Sequence, residues 1–501
     1  MDVLETIQKW IMNKGDDVPP AYLVSGVAGV GKSAIMHTIA RQSFESGNLA
    51  AFYCFDRTLP TQRTPQVLFR RIAEQFMASK SSMCGLGPPT EVLQSALASV
   101  ERQFEELILT PAQQSPSSGR HLIVIDALDE SGNASSRRDM LSVLARRLKD
   151  LPSNFRVLLS ARPEEDIANC FDKHPSVSHS RLIPVPDSSI GSDIFKYIRH
   201  QLSHLPGAAV GATECQALAT KAEGLFQWAY VACEFIKTNK IGDVNPGQRY
   251  ERFMVSYHAS RSMMPGMTPL DQLYHEILSQ LFDDEDEEGD SLNRFRSVMG
   301  HVLTALEPFS CDMLTRLRCS LDGTLGEDDV WSIVRYMGAL LNGTHDRSAL
   351  IYPLHTSFRD FLVDESRSGI WSASVNTIGQ HRDLALSSLR VMQRELRFNI
   401  CDLESSFLRN QDVPDIEGLA VEGEVRPARH VKPGDDPPIE PGCDPGGRNH
   451  QHDADDEHQA APEEVEKADI DRQRTAAVTT AGITTGCNRG WATGLRERGR
   501  A

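Results

Sequence analysis

The chain of 501 residues is 40% hydrophobic and 24% charged, an ordinary globular composition with length for roughly three domains. Its formal charge of −17 argues against a nucleic-acid coat or a basic membrane-surface protein, both of which cluster Lys and Arg. Ten cysteines without a CxxC pair or zinc spacing read as reduced thiols in a cytoplasmic protein, and no apolar run approaches the ~20 residues that span a bilayer.

The N-terminal MDVLETIQKWIMNK is amphipathic rather than a signal-peptide core. Strand-like runs follow at 22–25, 51–55, 121–126, 155–160 and 181–185, with helical stretches such as 33–43, 64–78 and 134–149 between them. Apolar strands separated by helices predict a parallel α/β sheet covered on both faces over 1–188. From 189 the strands stop. Ile190, Ile194, Ile198, Leu202 and Leu205 repeat at helical spacing, as do Leu218, Ala222, Leu225, Ala229, Ala232 and Ile236, predicting a helical domain over 189–262. A second helical stripe, Leu292 to Leu306, precedes a β-capable segment at 348–355 and a helix starting TSFRDFL, which together predict a winged-helix module over 263–370. Helical pattern resumes at 381–398 within a further region, 371–412. Residues 413–501 are rich in Pro, Gly and charge, too poor in large apolar side chains to offset ordering entropy, and read as a disordered tail.

The run GVAGVGKS at 26–33 carries the chemistry. Gly26, Gly29 and Gly31 let the backbone of Gly26, Val27, Ala28, Gly29, Val30 and Gly31 turn its N–H groups toward an anion. Lys32 would reach the β- and γ-phosphates, Ser33 would offer a hydroxyl to Mg²⁺, and the helix beginning there, through Ala34, would present its positive end. In LIVIDALDE (122–130), a buried strand delivers Asp126 to the sheet's carboxyl end, where it can hold the Mg²⁺ shell opposite Ser33. Asp129 and Glu130 either position and deprotonate an attacking water or cap the next helix. Arg162, leaving FRVLLSARPE (155–164), either reads the γ-phosphate or pairs with a carboxylate on the same rim.

Three other patterns fail. The acidic run 283–290 has Phe295 where a calcium loop needs a bidentate Glu. The His/Asp cluster at 449–458 reads as solvated tail, and Asn239-Lys240-Ile241-Gly242-Asp243 is one residue too long for a guanine-reading motif.

With SGVAGVGKSAI, IDALDE, LSARPE, KAEGLFQWAYVACEFI (221–236) and LHTSFRDFL (354–362) in this order, the chain resembles a NACHT-type NTPase of the signal-transducing (STAND) class. It is most similar to the fungal NLR-like branch with a nephrocystin-like N-terminal domain. The spaced acidic pair in IDALDE separates it from AAA+ ATPases, which place Glu directly after the Asp. The resemblance implies that His355 touches the β-phosphate of bound ADP and holds the winged-helix module closed; the alternative is a histidine satisfied in that module's core. It also implies oligomerisation on nucleotide exchange, in intracellular recognition or immune-like signalling. Relatives have a Pro on the nucleotide base where this chain reads GLFQWA, so ATP against GTP is open. They also carry effector regions and repeats. With about 25 residues before the P-loop and no repeat at its end, this sequence reads as a fragment, or as one that runs into non-native sequence after Asp412. Nucleotide-switched signalling is therefore the leading expectation. A truncated non-catalytic nucleotide-binding scaffold and an AAA+-like remodelling ATPase are the alternatives.

Overall fold

The computed structural model describes residues 3–396 apart from 14, 16, 58–63, 79–98, 115–118, 173, 185–188, 206–209, 238–244, 264–265, 283–289, 324, 327 and 374–376. Met1–Gln393 forms one compact unit, and a second unit begins at Arg394. The acidic run at 283–289, the string 239–243 and the tail 413–501 lie outside the described residues.

Five strands form one parallel sheet: β1 (Ala21–Gly26), β2 (Leu49–Cys54), β3 (His121–Asp126), β4 (Phe155–Ala161) and β5 (Val177–Leu182), in the order β2-β3-β4-β1-β5. Interleaved are α1 (Val3–Met12), α2 (Lys32–Glu45), α3 (Leu68–Ala78), α4 (Val100–Phe104), α5 (Thr110–Gln114), α6 (Ala134–Arg147) and α7 (Glu165–Phe171). Strand alternation sends side chains to opposite faces, and here both faces are dry. Tyr22, Val24, Leu122, Val124 and Leu158 join Ile7, Trp10, Met36 and Ile39 on the face covered by α1 and α2. Leu23, Ile123, Ile125, Val157 and Leu159 pack with Phe69, Phe76, Phe104 and Leu144 on the other. That double burial is why the strands read as continuous apolar runs.

The last strand departs from the sequence expectation. The run 181–185 was the apolar one, yet β5 spans Val177–Leu182 and pairs with β1 from Ala21↔Val177 to Gly26↔Leu182. β5 is an edge strand, so its outer side chains meet solvent and VSHSRL needs no apolar run. Pro184, without an N–H, follows its end.

Beyond the sheet the chain is helical: α8 (Ser189–Leu202), α9 (Ala212–Lys221), α10 (Phe226–Lys237), α11 (Pro246–Met263), α12 (Pro269–Leu281), α13 (Asp290–Thr304), α14 (Cys311–Leu321) and α15 (Asp329–Val334). A two-stranded antiparallel sheet of β6 (Leu341–Asn342) and β7 (Tyr352–Pro353) leads into α16 (Thr356–Val363), α17 (Glu365–Ser368) and α18 (Thr377–Glu395). One apolar core runs from Ile194 to Ala373, centred on Trp228, Tyr257, Tyr274 and Phe295. Polar links lock it. Arg367 donates to Asp271 at 2.6 Å, and Arg318 holds buried Asp329 at 2.6 Å. Thr268 caps α12 by accepting from Asp271 N at 3.2 Å, with Pro269 in the first turn. Thr268→Ala should therefore lower stability by ~1 kcal/mol, read as a lower denaturant midpoint with unchanged slope.

Candidate nucleotide site

The site is built along the carboxyl edge of the sheet. Gly29 and Gly31 adopt φ of +79° and +102°, the left-handed region that favours glycine. A Cβ on Gly26 would lie 2.9 Å from the carbonyl oxygen of Leu182, so close backbone approach fixes that residue too. Gly31 heads α2 with no side-chain cap, leaving the first-turn amides open toward the loop. Lys32 Nζ donates to Gly26 O at 2.8 Å and to Val27 O at 3.0 Å, which holds its ammonium over the loop. Burial lowers its pKa, while the carboxylates of Asp129, Asp126 and Glu130 work in the opposite direction. Ser33 and Ala34 are exposed at the first turn of α2, and Val27 is exposed at the loop's tip.

Asp126 ends β3 and is fully buried. Its Oδ1 accepts from Ala127 N at 3.0 Å and from the hydroxyl of Ser160, which comes from the neighbouring strand β4. Ala127 then turns through the left-handed region (φ 57°), sending Asp129 and Glu130 back over the edge in a short 3₁₀ turn. Neither residue caps α6; Asn133 does, accepting from Ser136 N at 2.9 Å. Asp129 is buried and engages Arg162 twice, through Arg162 N at 2.9 Å and Arg162 Nε at 3.1 Å. Glu130 Oε2 accepts from Arg57 N at 3.3 Å. Burial and then the charge of Asp129 push the Glu130 carboxyl up to about 7.

Arg162 completes its bonds away from the sheet: Nη1 donates to Asp360 Oδ2 and Nη2 to Thr356 Oγ1, each at 2.6 Å. Both acceptors are on α16. The same helix begins after His355, whose Nδ1 accepts from Ser357 N at 3.1 Å and so leaves the ring proton on Nε2. Burial, then the positive charges of Arg162 and Lys32, drive its pKa down to about 3, so the ring is neutral across the physiological range.

From the helical side, Gln227 N donates to Gly29 O at 3.0 Å. The ring of Phe226, at the position the GLFQWA reading singled out, lies 3.3 Å from where a Cβ on Gly31 would stand. Lys32, Asp126, Asp129, Glu130, Arg162 and His355 thus occupy one edge.

Sequence reading missed Arg57, Ser160, Thr356 and Asp360. Arg57 follows β2 as Arg162 follows β4, so the same strand-end logic could have found it. The others required strand order or tertiary contact.

These residues fit a magnesium-bound polyphosphate. The loop is a glycine cradle with open amides, and an exposed hydroxyl with a buried carboxylate is an all-oxygen donor set for a hard cation. Among the described residues no three His, Cys, Asp or Glu side chains converge as a metal site. Such a cation would therefore complete its shell with phosphate and water.

A parallel sheet with a phosphate-binding loop after β1 and a carboxylate ending β3 defines a P-loop NTPase, a nucleotide-binding fold. Residues 3–162, roughly a third of the chain, match the family described as Nephrocystin 3, N-terminal. No curated protein matches. Among solved structures, the chain is similar to the Walker-type ATPase PABY2304 of Pyrococcus abyssi, at 12% identity and a TM-score of 0.36, over 71% of this chain and 94% of that one. Cdc6p from Pyrobaculum aerophilum gives 12% and 0.32 over 79% and 94%. Drosophila ORC bound to DNA gives 13% and 0.27 over 62% and 77%. None of these three likenesses is close enough to carry a functional inference. No described helix is long and apolar enough to cross a membrane.

Proposed function

We propose that the chain is a nucleotide-switched signalling NTPase of the NACHT (STAND) kind, acting in the cytoplasm with Mg²⁺ and ATP or GTP. It would hydrolyse the triphosphate slowly and expose oligomerisation or partner surfaces on exchange. The observation that carries the reading is a contact: Arg162, from the end of β4, donates to Thr356 Oγ1 at 2.6 Å, next to His355 at the head of α16, and the charge of Lys32, from the P-loop, bears on the ring of that histidine. Three segments far apart in sequence converge where phosphates would sit.

Each residue then has a part. Lys32 and the amides of 26–34 bind the phosphates. Ser33 and Asp126 hold Mg²⁺, which supplies charge neutralisation there. Asp129 has both carboxylate oxygens committed to Arg162, which supports Glu130 as the group that orients water and accepts its proton. His355, neutral and with Nε2–H available, suits donation to a diphosphate oxygen and so clasps α16 over the nucleotide. The pair β6–β7 between α15 and α16 supports the winged-helix reading of this region. Packing of Phe226 on the loop supports a base contact that is aromatic where relatives have Pro.

Release of labelled ADP and GDP, followed by rapid dilution, tests the clasp. His355→Ala should speed release by roughly tenfold, the worth of one hydrogen bond to a charged group. An unaltered off-rate would return His355 to a helix-capping role alone.

A further inference from the structure

Asp360 belongs to no motif, yet it holds both arginines of the nucleotide edge. Its Oδ2 accepts from Arg162 Nη1 at 2.6 Å and its Oδ1 from Arg57 Nη1 at 3.4 Å. Arg57 follows β2 and Arg162 follows β4, so the two guanidinium groups flank β3, the strand that ends in Asp126. Each nitrogen of the Arg162 guanidinium is engaged in this arrangement: Nε on Asp129, Nη1 on Asp360 and Nη2 on Thr356. Arg57 is tied as well, its Nη2 donating to Asp129 O at 3.0 Å. The side chains of Asp360 and Arg162 keep about a fifth of their surface exposed, so the pair is shielded more than a surface salt bridge but still reachable.

A terminal phosphoryl group needs cations at this edge, and here those cations are already held by a carboxylate. We infer that Asp360 is the specificity-determining residue that sets the site's preference between nucleoside diphosphate and triphosphate. A diphosphate leaves the Arg162–Asp360–Arg57 arrangement intact. A triphosphate that draws the guanidinium of Arg162 onto its terminal phosphoryl group takes it from Asp360 and Thr356, and the freed carboxylate then stands against a like charge. Because Asp360 and Thr356 lie on α16 and the arginines on the sheet, gaining the third phosphate and releasing α16 become one event, a differential affinity for two states. This inference rests on the proposed P-loop site.

The test is equilibrium titration of the full chain with ADP and a non-hydrolysable ATP analogue, and with the matching guanine pair, all with Mg²⁺. Asp360→Asn keeps the shape and loses the charge. It should tighten the triphosphate analogue by roughly tenfold while changing diphosphate affinity less than about twofold, since a charged hydrogen-bonded pair is lost only from the competing state. Thr356→Ala, which removes one neutral acceptor, should shift the same ratio in the same direction by roughly threefold. If wild type and both variants bind with the same ratio of triphosphate to diphosphate affinity, the role of Asp360 is overturned and the P-loop reading stands. If wild type binds none of the four nucleotides at millimolar concentration, both fall.

Discussion

Lys32→Ala is expected to weaken binding of every nucleoside di- and triphosphate by at least ~100-fold, beyond detection in an ordinary titration. The side chain supplies the one cation of the loop itself. Its ammonium is held by Gly26 O and Val27 O in a position set back from water, so it costs little reorganisation to meet a phosphate. A charge in that setting is worth more than one at an open surface, because fewer solvent dipoles screen it. The loop's shape should survive the substitution. It depends on the positive φ of Gly29 and Gly31, on the contact of Gly26 with Leu182 and on the bond from Gln227 N to Gly29 O, none of which involves the lysine. Equilibrium titration with labelled ATP and GTP checks this, alongside circular dichroism to show an intact fold. Wild-type affinity in the variant would remove the phosphate role from Lys32 and with it the basis for assigning Ser33 and Asp126 to Mg²⁺.

How much of this site could be read beforehand depends on where the information lies. Segments whose function is written into a local run were legible: GVAGVGKS forms the loop after β1, and HLIVID forms β3 with Asp126 at its end, at the bounds the apolar run predicted. Such strands are buried on both faces, so composition betrays them. Only the end of β5 was legible, because an edge strand need not be apolar and the apolar run at 181–185 overlaps the strand at Arg181 and Leu182 alone. Strand order escaped entirely. Nothing in the sequence says that β4 lies between β1 and β3, yet that placement lets Ser160 orient Asp126 and brings Arg162 to Asp129. The sequence left Arg162 divided between sensing phosphate and pairing with a rim carboxylate. In the structure it pairs with two, and one of them, Asp360, is almost two hundred residues away in sequence. Long-range pairs between charged residues leave no periodic signature, which is why Asp360 could not be read beforehand, although His355, five residues earlier, was singled out by the resemblance.

Glu130→Gln should cut hydrolysis by roughly 100-fold or more while nucleotide affinity stays near wild type, the loss expected for a general base. The pH dependence gives a sharper version. A carboxyl with its pKa near 7 is half protonated at neutrality, and only the carboxylate can take a proton from water. Turnover per bound nucleotide in the wild type should thus fall as pH drops through about 7, and the residual activity of Glu130→Gln should show no such step. Stability should run the other way. Because folding raises this pKa, the native state favours the neutral acid; the stabilisation is complete below the ordinary carboxyl range and is lost as pH rises to about 7. At pH 8 the wild type carries a buried carboxylate beside Asp129, whereas glutamine carries none. The variant should then melt higher than wild type at pH 8 and at a similar temperature at pH 4, while it hydrolyses less at every pH. A variant that loses stability and activity together would show that Glu130 is held for packing, and would move the water-orienting role to Asp129.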